Sequence, residues 1–240
     1  MTAQGDDIFH WELPDGNVIG VNRFKIDDLL LLLSKFPEPV LQIGSKSSII
    51  DNHGGKWRKI FSEKNFVGID IEDGENVDFL HDISDNVSKL RKKTEIKQFS
   101  TIICSHILEH VKNPFVAADN LQKLLRPGGK IFVTVPWVQG FHGFPDDYWR
   151  MSFPAIRLLF EKLEIIDEYY SDAREEFGYR LNYNGKTEHS NRTCRIERNL
   201  FQFITDEMPE QRIFEDAEGT KIKLSKMYMP GMSVNLIMSK

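Results

Sequence analysis

Two short stretches gather groups able to move protons or hold a polar substrate. "CSHILEHV", beginning at Cys104, sets His106 and His110 four residues apart. On a helical turn that spacing places both imidazoles on one face, and a neutral imidazole there can take the proton of a substrate hydroxyl. The spacing also suits a metal ion, but no third ligand is legible nearby and no metal is expected. "GFHGFPDDYWR", Gly140 to Arg150, adds His142, Asp146, Asp147 and Arg150 among Phe141, Phe144, Tyr148 and Trp149, with Trp137 just ahead. Flat apolar faces beside carboxylates match a sugar ring. The same aromatics would exclude water from a reacting site. His110 is the first candidate base, with His106 as its rival and His142 or Asp146 binding the hydroxyl or helping to deprotonate it. Arg150 reads equally as a brace for Asp147, and Cys104 as a small core residue rather than a nucleophile.

These groups need elements to position them, and the sequence offers strands in a regular tempo. Five short apolar runs fall at 39–44, 65–71, 77–83, 100–106 and 130–137, with a sixth at 163–170 and a last at 232–239. They are not strictly alternating, which is how strands covered on both faces read. Asn113 and Pro114 open a helix that "RPGG" at Arg126 to Gly129 stops, Ser152 and Pro154 open another, and Asp27 is expected to cap one that ends near Lys35. Strand, helix and strand in succession argue for an α/β domain with a mainly parallel sheet, whose ligands bind beyond the carboxyl ends of the strands. Residues 1–25 read as an N-terminal flap or small hairpin, and 171–231 as an inserted cap or excursion before the last strand.

The carboxyl ends of the early strands carry a second set of candidates. Gly44 permits a tight turn and close approach of a ligand, but no G-x-G-x-x-G series follows it, which disfavours an ordinary dinucleotide. Asp70, ending the second run, can accept hydrogen bonds from vicinal ribose hydroxyls. Asp82 is placed for the amino group of an adenine. Residues 70–85 hold seven Asp or Glu and no Lys or Arg, a field hostile to a phosphate diester and hospitable to a sulfonium or ammonium.

Taken in order, "VLQIGS", "FVGIDIEDGENVDFLHDI", "IICSHILEHVKNPF", "LLRPGGKIFVTVPW" and "HGFPDDYWRMSFPAI" resemble the class I S-adenosylmethionine-dependent methyltransferases of the broad type-11-like group, particularly bacterial members found with polysaccharide or glycan biosynthesis genes. The resemblance implies a Rossmann-like fold, a mainly parallel seven-stranded sheet with an antiparallel C-terminal strand, and S-adenosyl-L-methionine as cofactor. It puts Gly44, Ser45 and Ser105 near the methionine moiety, Asp70 on the ribose, Asp82 by the adenine, and Ile71 and Ile83 against its faces. Gln42 stands where an acid is common, and Gly44-Ser45-Lys46 replaces a fuller glycine series. The implied reaction is methyl transfer to a hydroxyl of a small molecule or sugar-linked precursor. The alternatives are N-methylation of an amino sugar or nucleotide-linked sugar, and a catalytically silent binding protein.

Composition narrows the partners. A formal charge of -5 over 240 residues gives no global basic field, so no nucleic acid is expected. The run at Lys89 to Lys97 reads as a solvated surface. "LLLLL" at Leu29 to Leu33 is too short to cross a bilayer, no signal-like segment opens the sequence, and Cys104 and Cys194 alone do not make a disulfide scaffold. A cytoplasmic protein without membrane contact is expected, and a homodimer stays open.

Overall fold

In a computed structural model, residues 4–12, 16, 18–46, 53–62, 64–142, 146–172, 176–183, 186–187, 200–201, 211–215, 219–225 and 231–240 are described. An antiparallel hairpin of β1 (Asp6–Glu12) and β2 (Val18–Lys25) leads directly into α1 (Ile26–Leu33). The repeating part follows as β3 (Val40–Ile43), α2 (His53–Ile60), β4 (Phe66–Asp70), β5 (Phe79–Leu80), α3 (Val87–Thr94), β6 (Phe99–Ser105), α4 (Pro114–Leu124), β7 (Leu125–Val138), α5 (Phe153–Leu159) and β8 (Glu164–Asp172). Then come β9 (Phe177–Tyr183), β10 (Lys186–Thr187), β11 (Gln211–Glu215), β12 (Lys221–Ser225) and β13 (Met232–Ser239).

Side-chain alternation along the central strands feeds two separate cores. Leu41, Ile43, Ile102, Cys104, Ile131 and Val133 point into one, closed by Leu90 of α3, Leu121 of α4 and Ile156 of α5. Val40, Ile103 and Phe132 point into the other, closed by Leu29 and Leu33 of α1 and Trp57 of α2. Both faces are therefore apolar, which explains why these strands read as continuous hydrophobic runs. Asn113 caps α4 by accepting from the Val116 N–H at 3.4 Å. Two expected caps do not form. Lys25 occupies the cap position of α1, so Asp27 lies inside the first turn, favourable to the helix dipole. Ser152 occupies the cap position of α5 without a side-chain cap bond; Pro154 in the first turn offers no N–H to it.

The main sheet runs β1-β2-β9-β8-β13-β7-β6-β3-β4-β5, with β10 paired to β9. From β5 to β8 this is the expected Rossmann-like set of seven strands. β3, β4, β5, β6 and β7 pair in parallel, and β13 inserts antiparallel between β7 and β8. The hairpin and β9 extend the sheet antiparallel beyond β8. Within 171–231, read as a cap or excursion before the last strand, residues 177–183 form a strand of the main sheet. β11 and β12 make a separate two-stranded sheet. Among the described residues no helix is long and apolar enough to cross a membrane.

Candidate active site

The strands β3, β4 and β6 end side by side at Gly44, Asp70 and Ser105. Gly44 has φ +68°, and a Cβ there would overlap the Ile107 side chain. The glycine turn and the turn after β6 are therefore in direct contact. Ser45 is fully buried, its N–H bonded to the Ile69 carbonyl at 3.1 Å and its hydroxyl without a partner. Asp70 accepts from the Lys46 N–H at 3.0 Å and the Glu72 N–H at 3.1 Å, one on each carboxylate oxygen. Each oxygen keeps a second lone pair for a ligand. Lys46 also pairs with Glu72 at 2.7 Å, and that hydrogen bond raises the ammonium pKa. Gln42 is 2% exposed and its Oε1 has no partner.

The other cofactor candidates separate. Asp82 is exposed, its carboxylate closing a turn on the Ser84 N–H at 2.7 Å. Ile71 is 53% exposed and free to cover a flat ligand, whereas Ile83 is 3% exposed and packed in the core. Ile83 is thus less open to an adenine face than Ile71, and its carbonyl accepts from the Asn120 amide at 2.8 Å. Ser105 lines a small cavity with Trp57, Phe132, Thr134 and Asn235.

After β6 the chain does not enter a regular helix. His106 has φ +54° and a single 3-10 turn covers Leu108–His110. The expected one-face helical arrangement of His106 and His110 is replaced by a gathering around Glu109, a residue the sequence reading passed over. Glu109 is 0% exposed and neither carboxylate oxygen has a hydrogen-bond partner. His106 Nδ1 and His110 Nε2 stand 3.4 and 3.9 Å from its Oε1. Its only signal in sequence was an acid embedded among Ile107, Leu108 and Val111.

The later loop is tied to this turn at several points. The Glu109 carbonyl accepts from the Tyr148 and Trp149 N–H groups, and the Trp149 indole donates to the Val111 carbonyl at 2.9 Å. His110 Nδ1 lies 2.6 Å from the Asp146 carbonyl, which can only accept, so Nδ1 carries a proton and in the neutral imidazole Nε2 holds the lone pair. The His142 and His110 rings meet edge to face at 5.1 Å. His142 Nδ1 is 3.3 Å from Asp147 Oδ2, and its backbone N–H donates to the same oxygen at 3.0 Å. Arg150 grips Asp147 with two nitrogens at 2.5 and 2.6 Å and donates to the Gln139 and Gly140 carbonyls at 3.0 Å. That bidentate pair holds the Asp147 carboxyl well below the usual carboxylate range. Arg150 is thus the brace. The Asp146 carboxylate, exposed, accepts from the Tyr148 hydroxyl at 2.7 Å.

Among the described residues the expected dry aromatic wall is not formed. Phe141 is 81% exposed, Tyr148 46% and Trp149 41%, so they present open surface; Trp137 packs against Tyr170, and Phe144 lies outside the described residues. Cys104 is buried, and burial pushes its thiol pKa up, consistent with a core role.

A family model described as a methyltransferase domain matches residues 25–181, and the chain belongs to that family. Together with the sheet order it makes the chain a class I, S-adenosylmethionine-dependent methyltransferase. No curated protein matches the sequence. Among solved structures, a protein described as a methyltransferase of Bacillus halodurans is 12% identical, with a TM-score of 0.51 over 88% of this chain and 97% of its own. An S-adenosylmethionine-dependent methyltransferase of Archaeoglobus fulgidus is 14% identical, with a TM-score of 0.50 over 90% of this chain and 92% of its own. At these identities the likeness is one of fold.

Proposed function

We propose that the protein transfers the methyl group of S-adenosylmethionine to a hydroxyl of a small-molecule or sugar-linked acceptor. The observation that carries this reading is the contact between the Gly44 turn and the turn bearing His106, Glu109 and His110. It brings the strand ends suited to the methyl donor beside groups able to take a proton. In this reading Gly44, Ser45 and Ser105 approach the methionine end, Asp70 takes the ribose hydroxyls on its remaining lone pairs, and Ile71 and Asp82 flank the adenine. Methyl transfer is a direct displacement, so positioning is the protein's main task. The lone pair on His110 Nε2, with His142 beside it, receives the hydroxyl proton. The acceptor class rests on the exposed faces of Phe141, Tyr148 and Trp149 next to Asp146. The family match does not bear on polysaccharide assembly.

Calorimetric titration with S-adenosylmethionine and S-adenosylhomocysteine, followed by methyl-transfer assays on sugar and amine acceptors, tests the reading. Saturable binding with transfer to a hydroxyl supports it. Transfer only to amines would replace the acceptor, and binding with no transfer would place the chain among silent members of the fold.

A further inference from the structure

We propose that Glu109, His110 and His142, with His106 alongside, bind one divalent transition-metal ion of the zinc class. One ligand atom from each of the first three residues lies within 4.8 Å of the others. Ligands about 2.1 Å from a tetrahedral zinc ion stand roughly 3.4 Å apart, so the cluster needs only to draw inward. The His142 side chain is 38% exposed and has room to turn.

Glu109 is the independent reason to invoke a cation. A fully buried carboxylate without a hydrogen-bond donor is costly, and the imidazole nitrogens at 3.4 and 3.9 Å are too far to act as ordinary donors. A cation among these three groups would offset the carboxylate's charge and accept a lone pair from each imidazole.

The surroundings are those of a ligand shell. His110 gives its Nδ1 proton to the Asp146 carbonyl, and His142 Nδ1 faces the Asp147 carboxylate and the Gly140 carbonyl. The short His110 contact favours the tautomer that leaves its Nε2 unprotonated, as outer partners of metal-bound histidines do, and the longer His142 contacts lean the same way. Asp147 is in turn held by Arg150. A set of imidazoles with a single carboxylate favours zinc-like ions over magnesium or calcium, which prefer oxygen. The third ligand that was missing near His106 and His110 is supplied by the later loop, and the expectation of no metal is revised accordingly.

Binding of the ion does not depend on methyl transfer, but its use does rest on the proposed function. An ion there with an open position would take the acceptor hydroxyl as a ligand and lower its pKa; His110 Nε2 would then be a metal ligand instead of the base, and the hydroxyl proton would pass to solvent.

The test is calorimetric titration of chelator-stripped protein with Zn²⁺, repeated with Co²⁺ by visible absorption and run in parallel with S-adenosylhomocysteine on the same preparation. The expected result is saturable binding of one ion per chain, weakened about 10-fold or more in Glu109→Gln and His142→Ala and about 10-fold in Asp147→Asn. His142 sits on an accessible loop, so its variant keeps the test open if Glu109→Gln fails to fold. Absence of saturable binding by the folded wild type, or equal affinity in His142→Ala, overturns the site. If S-adenosylhomocysteine binds and zinc does not, only the metal site falls; if zinc binds and S-adenosylhomocysteine does not, the ion site stands and the methyl-donor reading falls.

Discussion

Gly44 is the residue at which two halves of the site touch, and it tolerates little. Its φ of +68° suits glycine and costs other residues about 1–2 kcal/mol, and a methyl group would strike Ile107, adding roughly 1–3 kcal/mol if the neighbour cannot move. Gly44→Ala should therefore lower unfolding stability by about 2–5 kcal/mol in urea denaturation, and adding Ile107→Ala should restore only the part due to overlap. Asp70 makes a different prediction. Asp70→Ala removes two backbone bonds and the proposed ribose contact, so affinity for S-adenosylhomocysteine should fall about 10- to 100-fold, the equivalent of one strong charged hydrogen bond. Unchanged affinity would remove Asp70 from the binding site. Both positions drew attention in the sequence because each closes an apolar strand, where a glycine permits a tight turn and an acid can face a ligand. Glu109 was not, since in sequence an acid on a presumed helical turn looks solvated, and only the positive φ at His106 and the 3-10 turn fold it inward.

At the scale of elements, the central strands were readable and the loops between them were not. A strand apolar on both faces announces itself by composition, as β3 and β6 do, with all four residues of β3 buried. β9 did not, because "FGYRLNY" mixes polar and aromatic residues. Its pairing depends on β2 and β8, far off in sequence. The loop between Gln139 and Arg150 was recognised by its chemistry, yet one ion pair, Asp147 with Arg150, joins its two ends. Asp147 has a fully buried side chain and Arg150 is 27% exposed. Removing the carboxylate strands the guanidinium and frees His142. Asp147→Ala should cost about 1–3 kcal/mol, below the range for a fully buried pair because Arg150 is partly solvated, and should speed proteolysis at 139–150. Arg150→Lys should not rescue the loop, since an ammonium cannot reproduce the two-pronged grip or the bonds to Gln139 and Gly140.

Across the whole molecule, the question is what binds the added strands β1, β2 and β9 to the methyltransferase sheet. β8 and β9 share only the pairs Tyr170 with Tyr179 and Ser171 with Gly178, too few to hold an edge firmly. Just beyond that short ladder Arg180 meets Asp167 at 2.7 and 2.8 Å, with the two side chains 6% and 1% exposed. The guanidinium stacks over Phe24 at 3.8 Å, and Phe24 meets Tyr169 edge to face at 5.1 Å. The clamp therefore ties β9, β2 and β8 at one point, where Gly178 leaves space for the Phe24 ring. Arg180→Met would leave a buried carboxylate uncompensated and should destabilise the joint by about 3–5 kcal/mol. Replacing Asp167 by Leu as well should recover most of that loss, because a buried pair exchanged for apolar groups is often near neutral. Hydrogen exchange locates the effect. In the single variant the amides pairing β2 with β9 should exchange about 100- to 4,000-fold faster while those of β3 and β6 change less, since local opening reports the weakest joint. Equal acceleration in β3 and β6 would mean that the extension and the methyltransferase sheet unfold as one unit, and that the clamp stabilises the molecule rather than the joint.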